Sequence, residues 1–300
     1  MAENRIRFSA TLIERGFSMG LMEETLKEQL GQIIIKEAKG EPKKAVIDRG
    51  VILKILAFLS PSLLLVLWEI FARLGIVDVR LFSSPVMIFN TMIPMLYSGE
   101  LLYHTLISVQ RIILGFLAGA VPGVILGLSM GLFAPVRACL MPMVSATFPI
   151  PKLAIMPLIL IVFGLGEASK IFTIAIGVFY LVLINTMAGV LNIDDIYLDV
   201  AKNFGASPFQ FYTTVAFPGA LPMIFAGFKL GMGTALLLIV AAELSAAKAG
   251  VGWMIWRAYD MFDIEKMFVA LITLAFLGYI FSYLLEIAEK VVIPWQSNRR

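Results

Sequence analysis

Residues Asp199–Pro222, DVAKNFGASPFQFYTTVAFPGALP, form the largest polar insert in the second half of the chain and lie between two long apolar runs. The stretch reads as a short helix, a glycine turn and a second short helix. Gly205 falls where a helix ends on a left-handed residue. Ser207-Pro208 then opens the next helix, since proline suits a first helical turn. Pro218 and Pro222 are expected to close it. An ordered polar hairpin between apolar runs needs a reason, and the rest of the chain supplies its setting.

That setting is a bilayer. Of 300 residues, 60% are hydrophobic and 15% charged, with a mean hydropathy of +0.91, against about 45–50% and about 25% in soluble domains. A spanning helix needs about 20 apolar residues. Residues 112–136, 171–193 and 267–285 carry no charge, while 138–166 and 203–242 carry one lysine each, Lys152 and Lys229. We expect an all-α polytopic membrane protein with about six spans, near 52–74, 107–132, 140–164, 170–191, 219–241 and 267–289. Pro142, Pro149, Pro151 and Pro157 fall in the third, which should be broken or kinked.

Basic residues set the orientation. Lys36, Lys39, Lys43, Lys44, Arg49 and Lys54, with Arg137, Lys202, Lys290, Arg299 and Arg300, share one side. Arg80, Lys170, Lys248, Arg257 and Lys266 occupy the other. The positive-inside rule then puts both termini and the 192–218 hairpin in the cytoplasm, with the N-terminal flank deciding the balance. Residues 1–50 read as a cytoplasmic extension and 51–300 as the membrane domain. The opening, with no apolar run after a basic start, is not expected to be a signal peptide. Met22, Leu26, Leu30, Ile33 and Ile34 recur at helical spacing, giving an amphipathic helix that lies on lipid or docks on a partner.

The second span, RIILGFLAGAVPGVILGLSMGLF, places Gly115, Gly119, Gly123, Gly127 and Gly131 at steps of four. Each step advances by about 40° around a helix, so the glycines form a slowly winding groove into which another helix can pack closely. The partner helix could belong to the same subunit or another. Gly119→Leu should disturb it and Gly119→Ala should be mild. Gly227, Gly231 and Ala235 repeat the pattern briefly.

Catalytic chemistry finds no footing. The sequence has no phosphate-binding glycine loop, one cysteine, Cys139, and one histidine, His104. This leaves no Cys/His metal spacing, no intrachain disulfide and no nucleophilic triad. Cys139 reads as inert packing and His104 as a loop residue. No basic stripe with interleaved aromatics points to nucleic acid, although the pI is near 8.9. Lys152 and Lys229, near mid-membrane, are candidates to line a path that favours anions, or else hydrogen-bond carbonyls freed by prolines. A gradient-driven carrier or channel is the alternative class, but the chain shows no internal repeat and no buried acidic pair.

The hairpin resembles the EAA motif of the binding-protein-dependent ABC-importer permeases, E-A-A-x-x-L-G followed by an apolar residue and L-P. The matching residues are Asp199-Val200-Ala201, Phe204-Gly205, Val215, Pro218 and Pro222, with Asp for Glu, Val for Ala and Phe for Leu. FPIPKLAIMPLILIVFGLGE (148–167) is similar to a run in the nitrate, sulfonate, taurine and bicarbonate permeases. So are SVQRIILGFLAG, with Arg111 and Gly115, and AAELSAAKAGVGWMI, with Glu243, Gly250 and Gly252. The resemblance covers about residues 85–296. It implies a bacterial inner-membrane homodimer and an EAA-type coupling hairpin between spans 4 and 5, with Ser207 and Pro208 at its turn. It also implies cytoplasmic ATPase subunits that bind ATP and Mg, an extracytoplasmic solute-binding protein and a small solute. No cofactor is implied for this chain.

Overall fold

A computed structural model of the protein describes residues 49–295. The expected extension and its amphipathic helix lie outside these residues, apart from 49 and 50. The chain divides into two compact units, 1–66 and 67–300. The described part of the first is helical over 49–66 and belongs to α1, Arg49–Arg73, on which the first expected span falls.

In the second unit the described residues are helices and turns. After α2 (Val79–Phe82) and α3 (Pro85–Tyr97) come α4 (Glu100–Leu132), α5 (Ala134–Thr147) and α6 (Met156–Phe163). These are followed by α7 (Glu167–Leu191), α8 (Asp195–Asn203) and α9 (Pro208–Phe211). A π-helical turn, Tyr212–Ala216, leads into α10 (Phe217–Ala246), then α11 (Val251–Asp260) and α12 (Ile264–Val292). Among the described residues, α4, α7, the continuous helix ending in α10, and α12 are long and apolar enough to cross a bilayer.

The third expected span is two helices. Pro149 and Pro151 lack the N–H groups needed to continue α5. Lys152 Nζ donates instead to the carbonyls of Thr147 (2.9 Å) and Phe148 (3.1 Å), and sits 4.3 Å from the centre of the Tyr180 ring. Cys139, expected to be packed, is exposed on α5. That helix buries one residue, Val144, so most of its surface is left uncovered by the other described residues.

α7 is the central helix. On one side it meets the glycine groove of α4. A Cβ at Gly115 would come 2.6 Å from Ile174 Cβ, at Gly127 2.7 Å from the Leu183 carbonyl oxygen and at Gly131 2.5 Å from Val190 Cβ. At Gly123 it would lie 3.0 Å from the Phe179 oxygen. At Gly119 it would overlap the Ala175 carbonyl oxygen. Alanine at 119 therefore has no room, contrary to the mild effect expected from spacing alone, because the obstacle is backbone and cannot rotate aside. The other side of α7 takes α10, where a Cβ at Gly227 would lie 3.0 Å from Asn185 Cβ and one at Gly231 3.2 Å from Val178 Cγ1. Ile112, Phe116, Ile174, Val178, Val182, Ile239, Leu277 and Phe281 fill the core between α4, α7, α10 and α12.

Gly119→Ala should lower the thermal unfolding midpoint of the purified protein, at an overpacking cost of about 1–3 kcal/mol, and Gly119→Leu should prevent folding. Gly233→Ala is the control, since nothing lies within 4 Å of a Cβ there. Equal midpoints for Gly119→Ala and Gly233→Ala would show that close approach of α4 and α7 does not hold the bundle together.

Candidate functional site

Two constellations stand at opposite ends of α10. At its N-terminal end is the hairpin. α8 ends at Asn203 and Gly205 has φ +69°, so the amide of Ala206 reaches back to the Ala201 carbonyl at 3.0 Å, closing the helix end. Ser207 caps the next helix: its Oγ accepts from Gln210 N–H (3.3 Å), and Gln210 Oε1 accepts from Ser207 N–H (2.8 Å). This reciprocal pair satisfies two donors that the helix start would otherwise strand.

The second helix does not stop at Pro218 and Pro222, as expected. It runs from Pro208 through the π turn into α10. Pro218 lacks an N–H, and the chain widens just before it: Phe217 N–H bonds to Tyr212 O, five residues back. Thr213 Oγ1 donates to Phe209 O (2.9 Å) and Thr214 Oγ1 to Gln210 O (2.5 Å), so side chains serve carbonyls at the distorted turn. Val200, Phe204 and Phe209 are exposed, Phe204 by 86%, while Ala201 is buried and Val215, Pro218 and Pro222 are half-buried. Tyr197, Val200, Phe204, Val215, Pro222 and Trp295 line a cleft of about 1090 Å³.

At the other end lies a buried ionic cluster. Arg111, on α4, donates through Nη1 to Glu243 Oε1 (2.7 Å) and to the Ala249 carbonyl (2.6 Å). Its Nε and Nη2 form a two-pronged bond to Glu167 Oε2 (2.5 Å) and Oε1 (2.6 Å). The Arg111 and Glu243 side chains are 5% and 1% exposed, and Glu167 is 58% exposed. Lys170 Nζ donates to Glu167 Oε1 and to the Gly166 carbonyl, both at 3.2 Å. Ser108 Oγ donates to the Glu243 carboxylate (2.8 and 2.9 Å) and accepts from Val251 N–H (2.8 Å), while Gly252 N–H donates to Glu243 Oε2 (2.8 Å). Three donors, Arg111 Nη1, Ser108 Oγ and Gly252 N–H, thus serve the buried Glu243 carboxylate, and both of its oxygens are engaged.

Gly250 and Gly252 make room for this carboxylate. A Cβ at Gly250 would overlap it, and φ there is +124°, a conformation side chains rarely adopt. A Cβ at Gly252 would come 2.8 Å from Glu243 Cβ. His104 is no loop residue. It lies in α4 at 7% exposure, accepts from Gly250 N–H at Nδ1 (3.1 Å), and stacks on Trp253 at 5.0 Å between ring centres. The cause is the unexpected length of α4, which begins at Glu100 instead of near 107.

In the sequence, Arg111 and Glu243 stand out only through a resemblance. Glu243 is buried, and Glu167 shares its arginine. The signal was present: Arg111, Glu167, Lys170 and Glu243 each border a charge-free run, or one broken by a single lysine. Each looked like the end of one span, and the fold brings those ends together. Lys152 and Lys229 stand apart from the cluster, the latter paired with Glu289 at 2.6 Å. Among the described residues, no three His, Cys, Asp or Glu side chains are placed to hold a metal.

Residues 123–295 match the profile of the binding-protein-dependent transport system inner membrane component. The chain belongs to that family. Among its relatives, the permease named SsuC of Bacillus subtilis (strain 168), for aliphatic sulfonates transport, is 34% identical over 240 residues, 80% of this chain and 87% of that protein. The taurine transport system permease protein TauC of Escherichia coli (strain K12) is 30% identical over 242 residues, 79% and 88% of the two chains. The nitrate import permease protein NrtB of Synechocystis sp. is 32% identical over 191 residues, 64% and 70%. This inner membrane component is thus an ABC-transporter permease, a multi-pass membrane protein of transport.

In this permease Glu243→Ala should cost about 3–5 kcal/mol, because it leaves Arg111 buried and half-paired. Arg73→Ala breaks an exposed pair with Glu69 and should cost less than about 1 kcal/mol. Denaturant unfolding of the two variants, read in one detergent, checks the contrast.

Proposed function

We propose that this permease forms the translocation path of an ATP-driven importer for a small anion of the sulfonate, taurine or nitrate type, delivered by an extracytoplasmic binding protein. The observation that carries the reading is the hairpin, an ordered turn with apolar side chains facing outward on the end of α10 remote from the ionic cluster. Val200 and Phe204, exposed, are the proposed contacts with a cytoplasmic ATPase that binds ATP and Mg. Asp199 is proposed to meet a basic group of that partner, and Val215, Pro218 and Pro222 to shape the cleft behind the contact. Ala201, Gly205, Ser207 and Pro208 set the turn.

The working unit is proposed as two copies of the permease with two ATPases in the bacterial inner membrane. Both termini face the cytoplasm, residues 1–50 form an extension and residues 51–300 the permease domain. Closure of the ATPases on ATP would draw the hairpins together. α9 would pass that movement into α10 through the π turn, since these segments join without an intervening loop.

Gly205→Arg tests the coupling. Nothing lies within 4 Å of a Cβ at 205, so the fold bears only the left-handed penalty of about 1–2 kcal/mol, while the side chain enters the contact. After reconstitution with the ATPase and the binding protein, Gly205→Arg should insert normally yet lose solute-stimulated hydrolysis. Asp199→Ala should weaken it, and Asp199→Glu should leave it intact. Full stimulation in Gly205→Arg would remove the hairpin from the mechanism.

Lys152 and Lys229 are proposed as path contacts that favour anions. Both ammonium groups already have partners, so a passing anion would share them. Uptake of a sulfonate at matched membrane levels should fall in Lys152→Gln or Lys229→Gln. Unchanged rates in both would take the two lysines out of the path.

A further inference from the structure

We propose that Arg111 and Lys170 form a binding site for a small oxyanion, held in this structure by the Glu167 carboxylate as an internal stand-in. The proposal deepens the importer reading and rests on it.

The charge balance is the first observation. The Arg111 and Lys170 side chains are 5% and 4% exposed, and Glu243, at 1%, supplies one opposing buried charge. The second opposing charge comes from Glu167, which is 58% exposed and is the first residue of α7. Two cations are therefore fixed in the interior, and one of the carboxylates that balance them stands at its edge. If Glu167 turns to solvent, one positive charge is left without a counter-charge, which is costly for side chains as buried as those of Arg111 and Lys170. An anion that takes its place restores the balance. A neutral or cationic solute does not.

Geometry is the second observation. Nη1 of Arg111 is held by Glu243 and the Ala249 carbonyl, so the guanidinium plane cannot turn. Nε and Nη2 consequently point in parallel at whatever occupies the Glu167 position. Two parallel N–H groups match two oxygens on one centre, as in a carboxylate, nitrate or sulfonate. Lys170 Nζ, 3.2 Å from Glu167 Oε1, gives a third donor to the same oxygen pair. The position is open to ligand: Arg111, Glu167 and Lys170 line a cavity of 660 Å³, with Gln110, Ser245 and Lys248 on its walls. It lies at the end of α10 remote from the hairpin, the entry side in the proposed orientation.

The test uses the full-length permease in nanodiscs, titrated calorimetrically with methanesulfonate, nitrate and acetate, with sodium chloride holding ionic strength constant. Wild-type protein should bind weakly, since Glu167 competes. Glu167→Gln and Glu167→Ala should each bind about tenfold more tightly, the size of one charge-assisted hydrogen bond released from competition. Adding Lys170→Gln to either should reverse the gain. The site is overturned if neither Glu167 variant gains affinity, if the Lys170→Gln double variants bind as tightly as the single ones, or if chloride competes as well as the oxyanions. Overturn here, with hydrolysis still uncoupled by Gly205→Arg, would leave the importer reading standing. Oxyanion binding as expected, in a permease that forms no ATPase complex, would support the site and reject that reading.

Discussion

The bundle depends on how closely the backbones of α4 and α7 approach. In lipid there is no water to expel between helices, so association is driven by packing, and packing improves as small residues let backbones touch. Five glycines at steps of four keep that contact along α4, from Ile174 beside Gly115 to Val190 beside Gly131. With α7 seated against α4 on one side, its other side is left for Gly227 and Gly231 of α10. α7 thus lies against both α4 and α10, which also touch each other directly, the Phe116 and Phe228 rings standing 5.7 Å apart, and near the start of α7 they are joined again through Arg111 and Glu243. That is where the ionic cluster lies.

The cluster is a consequence of this arrangement as well as a fastening. Charges at the ends of apolar helices ordinarily point to water. Here Glu167 and Lys170 in the first turn of α7 and Glu243 in the last turn of α10 close on Arg111, which lies about three turns inside α4. The turn after α10 supplies backbone donors through Gly250, Val251 and Gly252, and the absent Cβ groups leave the volume that the Glu243 carboxylate fills. His104 and Trp253 brace the same turn from α4 and α11. One arm of Arg111 is fully enclosed and the other faces a cavity. Rigid support and a replaceable partner therefore meet in a single side chain.

At the far end of α10 the constraint is different. The hairpin must present an ordered outward face and still join a membrane helix across two prolines. The π turn accomplishes this. One widened turn absorbs the missing N–H of Pro218, the threonine hydroxyls serve carbonyls nearby, and the helix continues without a break. A π segment between the hairpin and a spanning helix keeps the two continuous in helical backbone.

Composition and periodicity by themselves determined the all-α membrane class and the left-handed turn at Gly205, because each follows from local chemistry: apolar length, the small menu of helix ends and the freedom of glycine. The glycine row announced a close contact without naming the partner, since spacing along one helix carries no information about what lies across it. Tertiary structure alone decided that α7 is that partner, that residue 119 lacks room even for a methyl group, and that His104 belongs to a helix. It alone joined four charges from three separate segments. Each of them, read along the chain, is only the polar edge of an apolar run, and their mutual attraction exists only once packing has brought those edges within hydrogen-bonding distance.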